Sequence, residues 1–182
     1  MPLTISFELS DRDLEFFSQR MEQAKAKTSA KGEAEVAQSA TRLIQEMKQA
    51  DLPDFVRERL VILEQLVAML LDTGWKLSGE DRARIANAIA YVADPDDLIP
   101  DHIPGLGYID DAMMIDMVSK SLRHDLQAYE DFCKFRDKVQ KRLGKLDVPF
   151  TQEKYLATRR AQLQERMNRR RSAMRGARFP RY

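Results

Sequence analysis

The chain has 182 residues, 32% of them charged and 43% hydrophobic, with a formal net charge of +1. That length accommodates one domain, or one domain with arms, and the composition excludes a membrane-embedded or wholly disordered chain. One cysteine, Cys133, excludes an intrachain disulfide and a cysteine zinc site, and no charge-free run approaches the roughly 18 apolar residues of a membrane span.

Taken in chain order, residues 3–9, LTISFEL, alternate weakly. A lone strand has no partner, so they read as an extended arm packed on helices. Ser10 is an N-cap, with Asp11 and Asp13 in the first turn, and opens a helix over 11–27 striped by Leu14, Phe17 and Met21. After a break at 28–32, a second helix over 34–49 places Val36, Ala40, Leu43, Ile44 and Met47 on one face. The third, over 53–72, is the most apolar. Val56, Leu60, Leu63, Val67 and Leu70 recur at helical spacing and make it the expected central core helix, with Gly74 placed as its C-cap. Ser78-Gly-Glu-Asp81 reads as a capping box for a fourth helix over 79–93, facing inward with Ile85, Ala86, Ile89 and Val92. A long fifth helix is expected over 108–143, striped by Ile115, Val118, Leu122, Leu126, Tyr129 and Cys133. Pro149 breaks the chain, and a basic helix over 151–174 leads into the tail RGARFPRY. The fold class is therefore all-α, a helical bundle of about five to six helices. It divides into an N-terminal helical arm (1–52), a core helical domain (53–148) and a basic C-terminal helix and tail (149–182).

Between the fourth and fifth helices lies a segment rich in Pro, Gly and Asp, from Asp94 to Gly107. Asp94 can cap a single turn whose first position is Pro95, where the missing N–H costs nothing. Pro100 ends that turn by pushing Ile99 toward extended geometry. Pro104-Gly105 suits a type II turn, and Gly107 gives a permissive backbone before the next helix. The expected product is a rigid helix–elbow–helix between two core helices, with Pro95, Pro100, Pro104 and Gly107 as its structural corners.

Pro95, the run Asp97-Leu-Ile-Pro-Asp101, Ile103-Pro104, Gly107 and Asp110-Asp111 resemble the signature of the YkvA-like family, over about residues 60–120. This is a short bacterial domain of unknown function, also found fused in some eukaryotic membrane-bound ubiquitin ligases. The resemblance implies two helices flanking the elbow and no established activity; in many members those helices are apolar enough for membrane contact. This chain departs by carrying Arg82, Arg84, Asn87, Asp116 and Lys120 on the flanks, Asp94 and Asp96 in place of small or apolar residues, and His102 where an apolar residue is usual.

Two groups of residues carry the functional expectations. No Lys or Arg occurs between Arg84 and Lys120, whereas seven aspartates do. Carboxylates without a local cation are a hard-oxygen environment suited to magnesium, calcium or manganese, and Asp97, Asp101, Asp110 and Asp111 are the metal candidates. The competing reading is that they cap helices and form Asx-turns. The second group is the C-terminal arm: residues 154–182 hold ten Lys/Arg against one acid, Glu165. Arg159, Arg160, Arg166, Arg169, Arg170, Arg171, Arg175 and Arg178 are candidates for binding anions, either nucleic-acid backbone without sequence specificity or anionic lipid. The competing reading docks the arm on the acidic body of its own chain or of a second copy. His102 and His124 read as surface residues, Cys133 as a buried, inert thiol and Trp75 as a core plug.

No complete catalytic motif is present, and no nucleophile or general base accompanies the carboxylates in sequence. The favoured expectation is a non-enzymatic interaction or scaffold module whose basic arm contacts an anionic membrane surface or an acidic protein partner, in a homo-oligomer or alone. The alternative is a metal-dependent enzyme, a hydrolase, using the aspartate cluster. The N-terminal stretch is acidic where a secretory leader is basic, so a cytoplasmic setting is expected, with peripheral attachment at the inner face of the membrane as its variant.

Overall fold

The computed structural model of the protein describes residues 19, 32–93, 108–143 and 149–177. The arm expected over 3–9, most of the helix over 11–27, the elbow and the last five residues of the tail lie outside them. Every regular element among the described residues is a helix, and there are six: α1 (Glu33–Gln49), α2 (Asp54–Leu71), α3 (Gly79–Val92), α4 (Ile109–Ser121), α5 (Arg123–Leu143) and α6 (Pro149–Ala177). The all-α helical bundle read from the sequence is the observed class. The chain divides into two compact units, one of residues 1–70 with 78–115, the other of residues 71–77 with 116–182.

In the first unit, α3 starts at a side-chain cap and α1 and α2 at glycine and proline turns. Gly32, at φ 80°, turns the chain into α1, a left-handed backbone that glycine adopts without the Cβ penalty. Pro53 offers its carbonyl to the N–H groups of Val56 and Arg57 at the start of α2. Ser78 caps α3: its Oγ accepts from the Asp81 N–H at 3.1 Å and donates to Asp81 Oδ2 at 2.8 Å. The apolar periodicity then buries Val36, Ala40, Ile44 and Met47 of α1, Val56, Leu60, Leu63, Leu66 and Leu70 of α2, and Ile85, Ala86, Ile89 and Val92 of α3. Helix α1 packs on α3, with Arg82 donating to Glu33, and Lys48 pairs with Glu64 at 2.5 Å to join the end of α1 to α2.

In the second unit, the single helix expected over 108–143 is interrupted at Leu122. The backbone ladder continues there, with Leu122 N–H to Val118 O and Leu126 N–H to Leu122 O, but Asp125 N–H also reaches Leu122 O across a tighter turn. Ser119 and Ser121 donate their hydroxyls to the carbonyls of Asp116 and Val118, both at 2.8 Å. Such back-bonding competes with the ladder and bends helices. The expected stripe is corrected as well. Leu126 and Cys133 are half-buried, while Asp125, Ala128 and Phe132 join Tyr129 and Val139 in the interior. The buried positions run Val118, Leu122, Asp125, Tyr129, Phe132 and Val139, with the half-buried Arg136 between the last two, in alternating steps of four and three. That is a seam of period 3.5, as in paired helices, with two charged members.

Candidate functional site

Of the carboxylates singled out in the sequence, Asp97 and Asp101 lie outside the described residues, as do Pro95, Pro100, Pro104 and Gly107. Asp110 and Asp111 open α4, where negative charge faces the N-terminal N–H groups. They are 6% and 4% exposed. Among the described residues no three His, Cys, Asp or Glu side chains are grouped so as to hold a metal ion.

A denser constellation, not anticipated from the sequence, surrounds the turn after α2. Asp72 is an acceptor for four donors. Its Oδ1 takes the N–H of Gly74 at 2.8 Å and of Trp75 at 3.2 Å. Its Oδ2 takes the Tyr129 hydroxyl at 3.1 Å and an Arg136 N–H at 2.6 Å. This is an Asx-turn inside a charge-assisted network. Gly74 suits the closeness of that turn: a Cβ there would stand 3.0 Å from Asp72 Oδ1 and 3.4 Å from Arg136 Nη1, so those side chains would have to give by a few tenths of an ångström. The left-handed residue is Lys76, at φ 51°, so the expected glycine C-cap is replaced by a side-chain-capped turn. Trp75 is fully buried, edge-on to Tyr129 at 5.8 Å and tilted against Phe132 at 5.1 Å. The Arg136 guanidinium lies over the Phe132 ring at 5.4 Å.

The electrostatics follow from this packing. Burial would push the Asp72 carboxyl up, but Arg136, the Gly74 N–H and the Tyr129 hydroxyl outweigh it and hold the pKa below the ordinary value. Burial, reinforced by Cys133 and the Asp72 charge, pushes the Tyr129 hydroxyl far above its usual range. Burial likewise raises the half-buried Cys133 thiol against the opposing pull of Tyr129 and Arg136, keeping it protonated. A saturated carboxylate beside two groups that hold their protons is the chemistry of a latch, not of an acid–base site.

The basic helix α6 closes this latch. Arg160 donates to Gly74 O at 2.8 Å, and the Gln164 amide donates to Trp75 O at 2.9 Å and Lys76 O at 3.3 Å. Helices α5 and α6 pair antiparallel. His124 meets Met174, Asp125 meets Arg171 at 3.1 Å, Asp131 meets Arg166, and the Arg159 guanidinium lies over Phe135 at 5.7 Å. Asp125 is 1% exposed, so Arg171 balances a carboxylate inside the hairpin. Burial works to raise Asp131, yet Arg166 and Gln127 hold it below the ordinary range. Of the candidate arginines, Arg159, Arg160, Arg166 and Arg171 thus have partners within the unit. Arg169 and Arg170 are exposed, with Glu165 3.8 Å from Arg169. The side chain of Arg175, and Arg178 altogether, lie outside the described residues.

Residues 81–115 match the family model described as a protein of unknown function (DUF1232). The chain is also 44% identical over 43 residues to the uncharacterized membrane protein YkvA of Bacillus subtilis, a stretch covering 24% of this chain and 41% of that relative. The protein carries a YkvA-like segment. The chain therefore spans about two fifths of the curated relative it matches. Helices α3 and α4 stand at the two ends of residues 81–115 in sequence; the Asp72 latch and the α5–α6 hairpin lie outside those residues. No solved structure matches the chain. No helix among the described residues is long and apolar enough to cross a membrane.

Proposed function

We propose that this protein is a non-enzymatic helical interaction module, with a YkvA-like segment in its first unit and a basic C-terminal helix that contacts an anionic membrane surface peripherally. The observation that supports this is the division of charge on α6. Arg160, Arg166 and Arg171 spend their charge on a backbone carbonyl and on the carboxylates of Asp131 and Asp125, whereas Arg169 and Arg170 face solvent. Two exposed arginines on a helix already anchored by its other side form a preordered cationic face, which binds without the entropy cost of ordering a free tail. The similar Bacillus protein is called a membrane protein, which favours a bilayer as the anionic surface.

Vesicle co-sedimentation of the full chain tests the reading. Vesicles of phosphatidylcholine with phosphatidylglycerol should bind it, pure phosphatidylcholine should not, and added salt should release it. Equal affinity for both vesicle types, or none for either, would overturn it.

A further inference from the structure

Where the contact sits on the hairpin can be read from one end of it. Helix α5 begins, and α6 runs toward its C-terminal end, at the same place because the two are antiparallel. There the Met174 sulfur lies 2.8 Å from an Arg123 Nη and 3.1 Å from His124 Nε2. Arg170 is one helical turn before Met174, and Lys120 is one turn before Arg123. Lys120, Arg123 and Arg170 are exposed, and Met174 is 41% exposed. The acids near this end have cations of their own: Asp116 pairs with Lys120 at 3.0 Å and Asp125 with Arg171 at 3.1 Å. Burial, then the charges of Arg123 and Arg170, hold the His124 imidazole below its ordinary pKa against the weaker opposing effect of Asp125.

Resting on the reading above, we propose that Arg123 and Arg170, with Met174 beside Arg123, form the patch that seats phosphate headgroups of anionic phospholipids. One observation favours lipid over nucleic acid. The half-exposed Met174 thioether lies against the Arg123 guanidinium, where it would meet the glycerol and acyl boundary of a leaflet.

The test uses the full chain on phosphatidylcholine vesicles with and without phosphatidylglycerol. The double variant Arg123→Gln/Arg170→Gln should bind the anionic vesicles about 30-fold more weakly, the effect of two basic residues near a charged surface. Arg123→Lys/Arg170→Lys should restore most of the affinity. Lys138→Gln/Lys154→Gln removes the same charge from exposed positions at the opposite end of the hairpin and should change binding only a few-fold. Met174→Gln should weaken vesicle binding several-fold without altering binding to duplex DNA. Thermal melts of each variant confirm that it is folded. Equal losses in the two glutamine pairs would show diffuse charge attraction and overturn the patch, as would vesicle binding by Arg123→Gln/Arg170→Gln at the unaltered level. Duplex DNA bound more tightly than vesicles, and lost in the same variant, would reassign the patch to nucleic acid. Absence of vesicle binding by the unaltered protein would instead sink the membrane reading on which this inference rests.

Discussion

Replacing Asp72 by Ala removes one acceptor from four donors, and the cost can be worked from their geometry. The Arg136 bond, at 2.6 Å and charge-assisted, contributes about 1.5–3 kcal/mol net. The bonds from Gly74, Trp75 and Tyr129 contribute about 1 kcal/mol each before losses are shared. They are not additive, because water can reach the vacated side of Arg136, whose side chain is 33% exposed. Breaking one partner of a buried ion pair costs about 3–5 kcal/mol, and this half-buried network should fall at the lower end, about 3 kcal/mol. For a chain of this size that lowers Tm by about 6–12 °C. Asp72→Asn keeps an acceptor for the turn but presents an uncharged amide to Arg136, and should cost about half as much. Trp75 is the only tryptophan and is fully buried inside the affected turn, so its fluorescence during urea denaturation reports this unit directly. A double-mutant cycle with Arg136→Met should give a coupling above about 1 kcal/mol. If Asp72→Ala melts within about 0.5 kcal/mol of the unaltered protein, or if the two changes add without coupling, the turn is not held by the carboxylate and the latch account is wrong.

Arg171→Met removes the charge-assisted bond to the buried Asp125 and should cost about 1.5–3 kcal/mol, whereas Asp125→Leu/Arg171→Met should regain part of it; urea midpoints compare the two. Asp72 and Asp131 both have folded pKa values below the ordinary carboxylate value, so their stabilisation is present above about pH 4 and is lost as pH falls through the folded values. An acid titration of stability should therefore show a limb that Asp72→Ala flattens. At the elbow, capping predicts that millimolar magnesium, calcium or manganese leaves Tm unchanged and that Asp101→Asn or Asp111→Asn costs about 1 kcal/mol or less; a metal-dependent rise in Tm abolished by Asp111→Asn would establish instead a cation shared among Asp97, Asp101, Asp110 and Asp111.

The helices were legible because their signals are local. Val56, Leu60, Leu63, Val67 and Leu70 recur at 3.6-residue spacing and are all buried, and Ser78 caps α3 as its type and position required. The latch was not legible for the opposite reason. Asp72 meets Tyr129 and Arg136 across 57 and 64 residues, and no pattern along the chain records such a pairing. A partial signal did exist: Asp72-Thr-Gly74 is an Asx-turn sequence, obscured because a glycine after a helix also suits a C-cap. Leu126 and Cys133 were assigned to the interior because they are apolar and correctly spaced. The true seam passes through Asp125 and Arg136, and a hydrophobicity pattern counts both against burial. What pays for burying them is a partner on another element, which periodicity does not contain.

Those charged seam positions bear on why the arm is built as it is. Apart from Leu163 and Met167, α6 has no fully buried apolar side chain among the described residues. A hairpin with so short an apolar seam could slip by a turn at little cost. Buried or half-buried ion pairs add little net stability, but they penalise every register in which a charge loses its mate. Asp125 with Arg171, and Asp131 with Arg166, therefore act on α6 as register pins. Successive residues on a helix are about 100° apart, so the run Arg169-Arg170-Arg171 cannot lie on one face. Pinning Arg171 inward to Asp125 carries Arg170 and Arg169 round toward solvent, as observed. One short arginine run thus both fixes the register of the hairpin and supplies the outward charge, and a change at Arg171 should disturb the outer face through register before it does so through charge.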